Sequence, residues 1–316
     1  MVVKKTSLKF LMILIGLVLV AFGCSNEGGN AEGDSGNKDL LIGISFQELN
    51  NPYFISMQEA FEDAAKSIGA DVIITDAGHD VAQQANDIDD MIQRGIDILI
   101  LNPTDSDGIE PAVNAAKDAG VIVVAVDAQA KGPIDSFVGS KNYDAGYMAG
   151  KKMVEDLGGS GKVAILDGIP VVPILQRVEG FKAAVAESKG IEIVDIQNGK
   201  QDRAIATDVT ENILQANPDL DAIFSVNDGG ALGALGAVEA SGRDVWLYSV
   251  DGHPEVIEAI LADGVFKATS AQFPADQVRI ALGMALAKHW GAEVVPTEVP
   301  IEVELQTIDN AKGFSW

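Results

Sequence analysis

Side chains able to make several hydrogen bonds recur at one kind of place in this chain, the end of a short apolar run. Asp127 follows VIVVAV, Asn227 follows AIFSV, Asp251 follows VWLYSV and Gln272 follows FKATSA. Close behind the first such run, LLIGISF (40–46), stands LNNPYF (49–54), where Asn51 precedes a helical pattern and brings Tyr53 and Phe54 with it. Amides and carboxylates grip small molecules by accepting and donating hydrogen bonds. In open α/β sheets, ligands sit at the carboxyl ends of the strands. The pattern therefore predicts a polar-lined binding cleft. A blander reading stays open for each residue taken alone. Asn and Asp are common in turns, Asn51 suits a helix N-cap ahead of Pro52, and Tyr53 and Phe54 suit a core.

No catalytic constellation accompanies these residues. GGSGK (158–162) lacks the spaced glycine of a phosphate loop, with Asp156 in its place, and Lys162 is followed by Val163. It reads as a turn into a strand. GGALGALG (229–236) follows a strand, but its spacing is not G-x-G-x-x-G, and glycines three apart suit close helix packing. His79, His253 and His289 are scattered, and neither HExxH nor GxSxG occurs. The expectation is a protein that is not an enzyme and needs no metal or cofactor.

The elements that must position the cleft residues alternate regularly. The spacing predicts strands over 40–46, 72–75, 96–101 and 121–126, interleaved with helices over 52–67, 81–94 and 109–119. A short segment, 137–140, follows. Helices over 143–157, 174–188, 203–216, 231–241, 254–263 and 274–290 then alternate with strands over 162–166, 191–197, 222–226, 245–250 and 266–271. A last extended segment covers 299–305. Continuous apolar strands between helices imply a parallel sheet covered on both faces. Two successive series imply two similar α/β lobes that divide near Ser140, with their strand ends facing one cleft.

The chain has 316 residues, 47% of them hydrophobic, enough for two packed cores. Acidic residues number 47 against 22 basic, a formal charge of -25. That balance argues against nucleic acid as a partner, and against adsorption of the folded part to anionic lipid. Cys24 is the sole cysteine, which leaves no disulfide framework and no cysteine-ligated metal. Lys4, Lys5 and Lys9 precede the apolar run 10–22, so residues 1–23 read as a signal peptide, too short and too polar beyond its end for a spanning helix. AFGC (21–24) resembles the lipobox of bacterial lipoproteins, in which the cysteine receives lipid after cleavage. Residues 25–37, rich in Gly, Asn and Ser, read as a leash, giving a lipid-anchored flexible linker over 24–38. The expected location is outside the cytoplasm, anchored to the cell membrane and facing the exterior or the periplasm.

Taken together and in order, LNNPYF (49–54), LILNPTDSDG (99–108), VAVDAQA (124–130), RVEGF (177–181), FSVNDGGALGAL (224–235), VDGHPE (250–255) and ATSAQFPADQ (268–277) carry a resemblance. The chain resembles the periplasmic binding proteins of sugar ABC transporters, most closely the ribose-binding group, related to the ligand domains of LacI-type repressors. The resemblance implies two doubly wound parallel-sheet lobes joined by a three-crossing hinge, the type I arrangement. Its N-terminal lobe would comprise 39–140 plus 273–301 and its C-terminal lobe 141–272 plus 302–316. It further implies ligand contacts from Asn51, Tyr53, Phe54 and Asp127 in the first lobe and from Arg177, Asn227 and Asp251 in the second. Gln272 would lie at the hinge and Gln47 near the ligand.

Two departures from the ribose type stand out. Ala128 replaces the Arg that follows the aspartate, and Gln201 replaces a stacking Phe; Tyr53 also brings a hydroxyl to a position that is often Phe. The pocket is therefore expected to favour another monosaccharide or a polyol over ribose. The implied partners are a small sugar and a membrane ABC permease, with the receptor a monomer. Replacing Asp127 or Arg177 by Ala is expected to abolish ligand-induced stabilisation with little loss of unliganded stability. A sugar or autoinducer sensor that presents its ligand to a membrane receptor is the alternative.

Overall fold

The computed structural model describes residues 40–316. Cys24, the expected signal peptide over 1–23 and the expected linker over 24–38 lie outside the described residues.

The first sheet contains β1 (Leu41–Phe46), β2 (Asp71–Asp76), β3 (Ile98–Leu101), β4 (Ile122–Val126), β5 (Ser136–Ser140) and β11 (Glu298–Ile301). The second contains β6 (Ser160–Asp167), β7 (Gly190–Asn198), β8 (Ala222–Ser225), β9 (Trp246–Asp251), β10 (Phe266–Ala271) and β12 (Glu304–Thr307). The helices between them are α1 (Pro52–Ser67), α2 (Val81–Gln93), α3 (Glu110–Asp118), α4 (Asn142–Asp156), α5 (Val172–Ala186), α6 (Arg203–Ala216), α7 (Asp228–Ser241), α8 (Pro254–Leu261) and α9 (Pro274–His289).

Strand order is β11-β5-β4-β3-β1-β2 in one sheet and β12-β10-β9-β8-β6-β7 in the other. Every pairing is parallel except β10 with β12. Side chains alternate between faces along a strand, and here both faces are covered. Ile42, Ile44, Ile98, Ile100, Val124 and Val126 pack under α1 and α9 on one face of the first sheet. Leu99, Leu101, Val123 and Ala125 pack against residues of α2 and α3 on the other. The second sheet repeats the scheme, with Ala164, Leu166, Ile223 and Leu247 on one face and Val163, Ile165, Phe224 and Tyr248 on the other. That double burial is why the strands read as unbroken apolar runs.

The chain passes from one sheet to the other three times. It leaves the first after β5, where α4 packs on β9 and β10, returns after β10, where α9 packs on α1 and β4, and leaves again between β11 and β12. The first and third passages touch: Lys141 N–H donates to Ile301 O at 2.9 Å, and Lys141 Nζ pairs with Glu302.

Three elements differ from the sequence reading. Residues 136–140 form a full parallel strand. The last extended segment is two strands in different sheets, broken at Glu302–Val303, with Pro300 accommodated in the edge strand β11. Helix α7 begins at Asp228, not three residues later, because Asn227 Oδ1 accepts from Gly230 N–H at 3.0 Å and closes a first turn that Gly229 and Gly230 disfavour. Gly233 in that helix does serve close packing, since a Cβ there would stand 2.2 Å from Arg203 O on α6.

Candidate ligand-binding site

The carboxyl ends of both sheets face one cavity, and all ten residues named from the sequence line it. Gln47, Asn51, Tyr53, Phe54 and Asp127 come from the first sheet's side, and Arg177, Gln201, Asn227, Asp251 and Gln272 from the second's. About 360 Å³ of space outside the protein atoms lies among these side chains, open solvent at the mouth included. Val171, Pro173 and Ile174, at the start of α5, form an apolar wall that sequence reasoning missed.

Local structure explains how each side chain arrives. Asn51 accepts from Tyr53 N–H at 3.0 Å, so it caps α1 and lines the cavity together. The cap and Pro52 fix the first turn of α1, which sends Tyr53 and Phe54 inward, edge to face at 5.2 Å. Arg177 is brought close by two glycines. A Cβ on Gly146 of α4 would lie 1.9 Å from Arg177 O, and one on Gly180 of α5 would lie 2.0 Å from Tyr143 O. The two helix backbones therefore touch beside the arginine. Backbone strain concentrates here too: Asp127, Gln201 and Asp251 take φ of 64°, 60° and 140°. Such conformations cost non-glycine residues about 1–3 kcal/mol each and persist where surrounding structure holds them.

Asp127 is only 6% exposed. Tyr53 Oη donates to its Oδ1 at 3.0 Å, and Asn102 Nδ2 donates to its Oδ2 at 3.2 Å. Burial pushes its carboxyl up to about 6, against the pull of the Arg177 charge and of those two donors. Burial and the neighbouring Asp127 charge push the Tyr53 phenol far above its ordinary range, so it stays protonated. Asn102, at the end of β3, also accepts from Gln47 N–H at 3.2 Å. Its place before Pro103 marked a strand end in the sequence, but its aim at Asp127 did not show there.

On the other side, Arg177 Nε donates to Asn142 Oδ1 at 2.8 Å, and its Nη1 donates to Val226 O at 2.8 Å and Asp251 Oδ1 at 3.2 Å. Gln272 Nε2 donates to the same Asp251 oxygen at 2.7 Å. Burial raises the Asp251 carboxyl, while Arg177 chiefly opposes the rise. Behind it, Asp228 accepts from the backbone N–H groups of Gly252 and His253 at 2.9 and 2.7 Å and from Thr269 Oγ1 at 2.8 Å. Those bonds pin the loop after β9. His253 Nδ1 accepts from Glu255 N–H at 3.0 Å and caps α8. Burial lowers its pKa.

The departures at 128 and 201 have visible results. Ala128 is buried and does not line the cavity. Gln201 Oε1 accepts from Ile169 N–H at 3.3 Å, and its backbone oxygen accepts from Asn227 Nδ2 at 3.4 Å. Aromatic cover therefore comes from Tyr53 and Phe54 alone, with the aliphatic wall opposite. Two residues of the lining, Gln47 and Gln272, each carry a buried acceptor, Oε1, with no hydrogen-bond partner among the described residues. Such groups are costly unless something meets them.

Residues 42–292 match the periplasmic binding protein domain. The chain belongs to the periplasmic binding protein family. It is 39% identical over 277 residues to the ribose import binding protein of Bacillus subtilis strain 168, spanning 86% of this chain and 90% of that relative. An ABC transporter periplasmic solute binding protein from Actinobacillus succinogenes 130z, solved with bound D-allose, matches with a TM-score of 0.83 at 32% identity, over 87% of this chain and 100% of its own. A counterpart from Bacillus halodurans C-125, solved with bound myo-inositol, matches with a TM-score of 0.82 at 29% identity, over 87% and 96%. The family and fold class expected from the motifs are the ones found: α/β, with two doubly wound sheets of the type I periplasmic binding protein arrangement.

Proposed function

We propose that this periplasmic binding protein is an extracytoplasmic solute receptor that holds a monosaccharide or polyol in its cleft and delivers it to an ABC importer. The carrying observation is the cavity, where ten hydrogen-bonding or aromatic residues from two sheets converge, two of them carrying a buried acceptor left unsatisfied. A sugar ring shows C–H bonds on its faces and hydroxyls at its edge. Phe54 and the wall of Val171 and Ile174 suit the faces, and the Asp, Asn, Gln and Arg groups suit the edge. The solute is released unaltered.

In this reading, 39–140 plus 273–301 and 141–272 plus 302–316 are two lobes that rotate about the three passages between the sheets. The guest favours the closed form, and the permease recognises that form. Export and anchoring rest on the leader and on lipid attachment at Cys24.

Calorimetry of the purified protein across pentoses, hexoses and inositols tests the reading. The expectation is saturable one-site binding of at least one such compound, accompanied by a raised melting temperature. Absence of binding across the panel would overturn it, and ribose as clearly the tightest ligand would overturn the preference for a different solute.

A further inference from the structure

The charges of the cavity, and the unused hydrogen-bonding groups on the residues that line it, do not balance for a neutral guest. Its ionisable lining is Asp127, Asp251 and Arg177, a net single negative charge when all are ionised. Arg177 is committed to Asp251 through their 3.2 Å contact. Asp127 has no cation in contact; its donors are the neutral Tyr53 hydroxyl and the neutral Asn102 amide. Two basic groups of the outer chamber at the mouth of the cleft have acids of their own: Arg203 pairs with Glu255 at 2.8 Å, and His79 stands 3.2 Å from Glu48. The unsatisfied groups are of one kind as well. Gln47 Oε1 and Gln272 Oε1 are both acceptors, on residues only 4% and 1% exposed. A buried carboxylate without a cationic partner is among the costlier things a protein can hold.

We propose that the solute carries a protonated primary amine among its hydroxyls, as an amino sugar or amino-cyclitol does, with the ammonium seated against Asp127. This rests on the solute-receptor reading above and narrows its ligand class. An ammonium offers three donors and no acceptor, and a positive charge. It therefore answers both the surplus of acceptors and the surplus of negative charge, whereas a hydroxyl answers only the first. The remaining hydroxyls meet Arg177 and Asn51 as in any polyol.

The test is titration calorimetry of the purified protein at pH 7.5 with matched pairs: D-glucosamine and D-glucose, D-galactosamine and D-galactose, 3-amino-3-deoxy-D-ribose and D-ribose, scyllo-inosamine and scyllo-inositol. In at least one pair the amine is expected to bind ten-fold or more tighter than its hydroxyl counterpart. N-acetylation of that amine, which removes the charge and leaves the protein untouched, should cancel the advantage. Asp127→Asn should reduce it to less than two-fold. Neutral members that bind as well as or better than every amine overturn the proposal and leave the sugar-receptor reading standing. An amine preference that survives Asp127→Asn overturns the assignment to Asp127. Failure of all eight compounds to bind overturns both.

Discussion

Tyr53 Oη lies 3.0 Å from Asp127 Oδ1 and is itself the acceptor of a 2.8 Å hydrogen bond from Gln277 Nε2. Gln277 Nε2 in turn lies 2.8 Å from Ser140 Oγ, at the first passage between the sheets. The acid of the cleft is thus tied, through a tyrosine on α1 and a glutamine on α9, to the strand end where the chain changes sheets. Tyr53→Phe keeps the ring and removes the link. Unliganded stability is expected to fall by about 1–3 kcal/mol, because a buried carboxylate oxygen and a buried amide each lose a partner. Affinity for the solute should weaken as well. Urea denaturation and calorimetry measure the two effects, and an unchanged unfolding midpoint would show that the link bears no weight.

The pH dependence of binding follows from Asp127. Its folded pKa of about 6 lies above the 3.8 of an unperturbed carboxyl. Between those values the folded protein binds more protons than the unfolded chain, so this group's contribution to unliganded stability falls as pH rises from 4 to 6. Donors on a bound solute favour the ionised form and pull the pKa back down. Binding then releases a proton at mildly acid pH, and affinity strengthens by about tenfold between pH 5 and 7 before levelling. Asp127→Asn should flatten that curve. Calorimetry in buffers of different ionisation enthalpy reports the proton directly.

Arg177 has a structural role beside the ligand contact proposed for it. At 4% exposure it satisfies Asn142, the Val226 carbonyl and Asp251 at once. That burial revises the expectation of a harmless alanine variant. Arg177→Ala is expected to cost about 3–5 kcal/mol of unliganded stability as well as binding, because Asp251 is left charged and buried without its partner. Asp127→Asn keeps the shape and removes the charge, with one of the two bonds from Tyr53 and Asn102 lost to the new amide donor, and is the milder probe of binding. An Arg177→Ala protein with wild-type stability would sink this account of the residue.

Helix contact beside the arginine gives a further test. Gly146→Ala would force a methyl group to within 1.9 Å of the Arg177 carbonyl, so α4 and α5 must separate. A loss of more than about 2 kcal/mol is expected, with weakened binding as Arg177 moves. Gly236→Ala is the matched control: it is an exposed position inside α7 with nothing near its Cβ. There the substitution should stabilise by up to about 1 kcal/mol, through helix propensity. Melting curves of the two variants should move in opposite directions.

Much of the cleft was legible because its residues stand at strand ends, and strand ends are marked in sequence by where apolar runs stop. Asp127, Asn227, Asp251 and Gln272 are of this kind. Arg177 lies inside α5, and Gln201 follows β7, a half-polar strand whose end no apolar run marks; both were reached only through the family resemblance. What stayed hidden depends on segments distant in the chain. Gln277 and Tyr53 are 224 positions apart, and no periodicity within either helix announces that one will bond the other. Trp316 is similar: its Nε1 donates to Asp251 O at 3.0 Å and its ring stands edge-on to Tyr53 at 5.8 Å. The early start of α7 was missed for a local reason, since propensity at two glycines argued against helix and a side-chain cap overrode it.

The two sheets share an order of strands, as if one pattern had been laid down twice and turned to face itself. Between identical rims a small guest would have two equivalent ways to settle. Tyr53, Phe54 and an acid without an ion pair on one rim, against Arg177 with its paired acid on the other, would remove that ambiguity. The doubling supplies the enclosure, and the unlike decoration of its halves would leave an occupant a single pose.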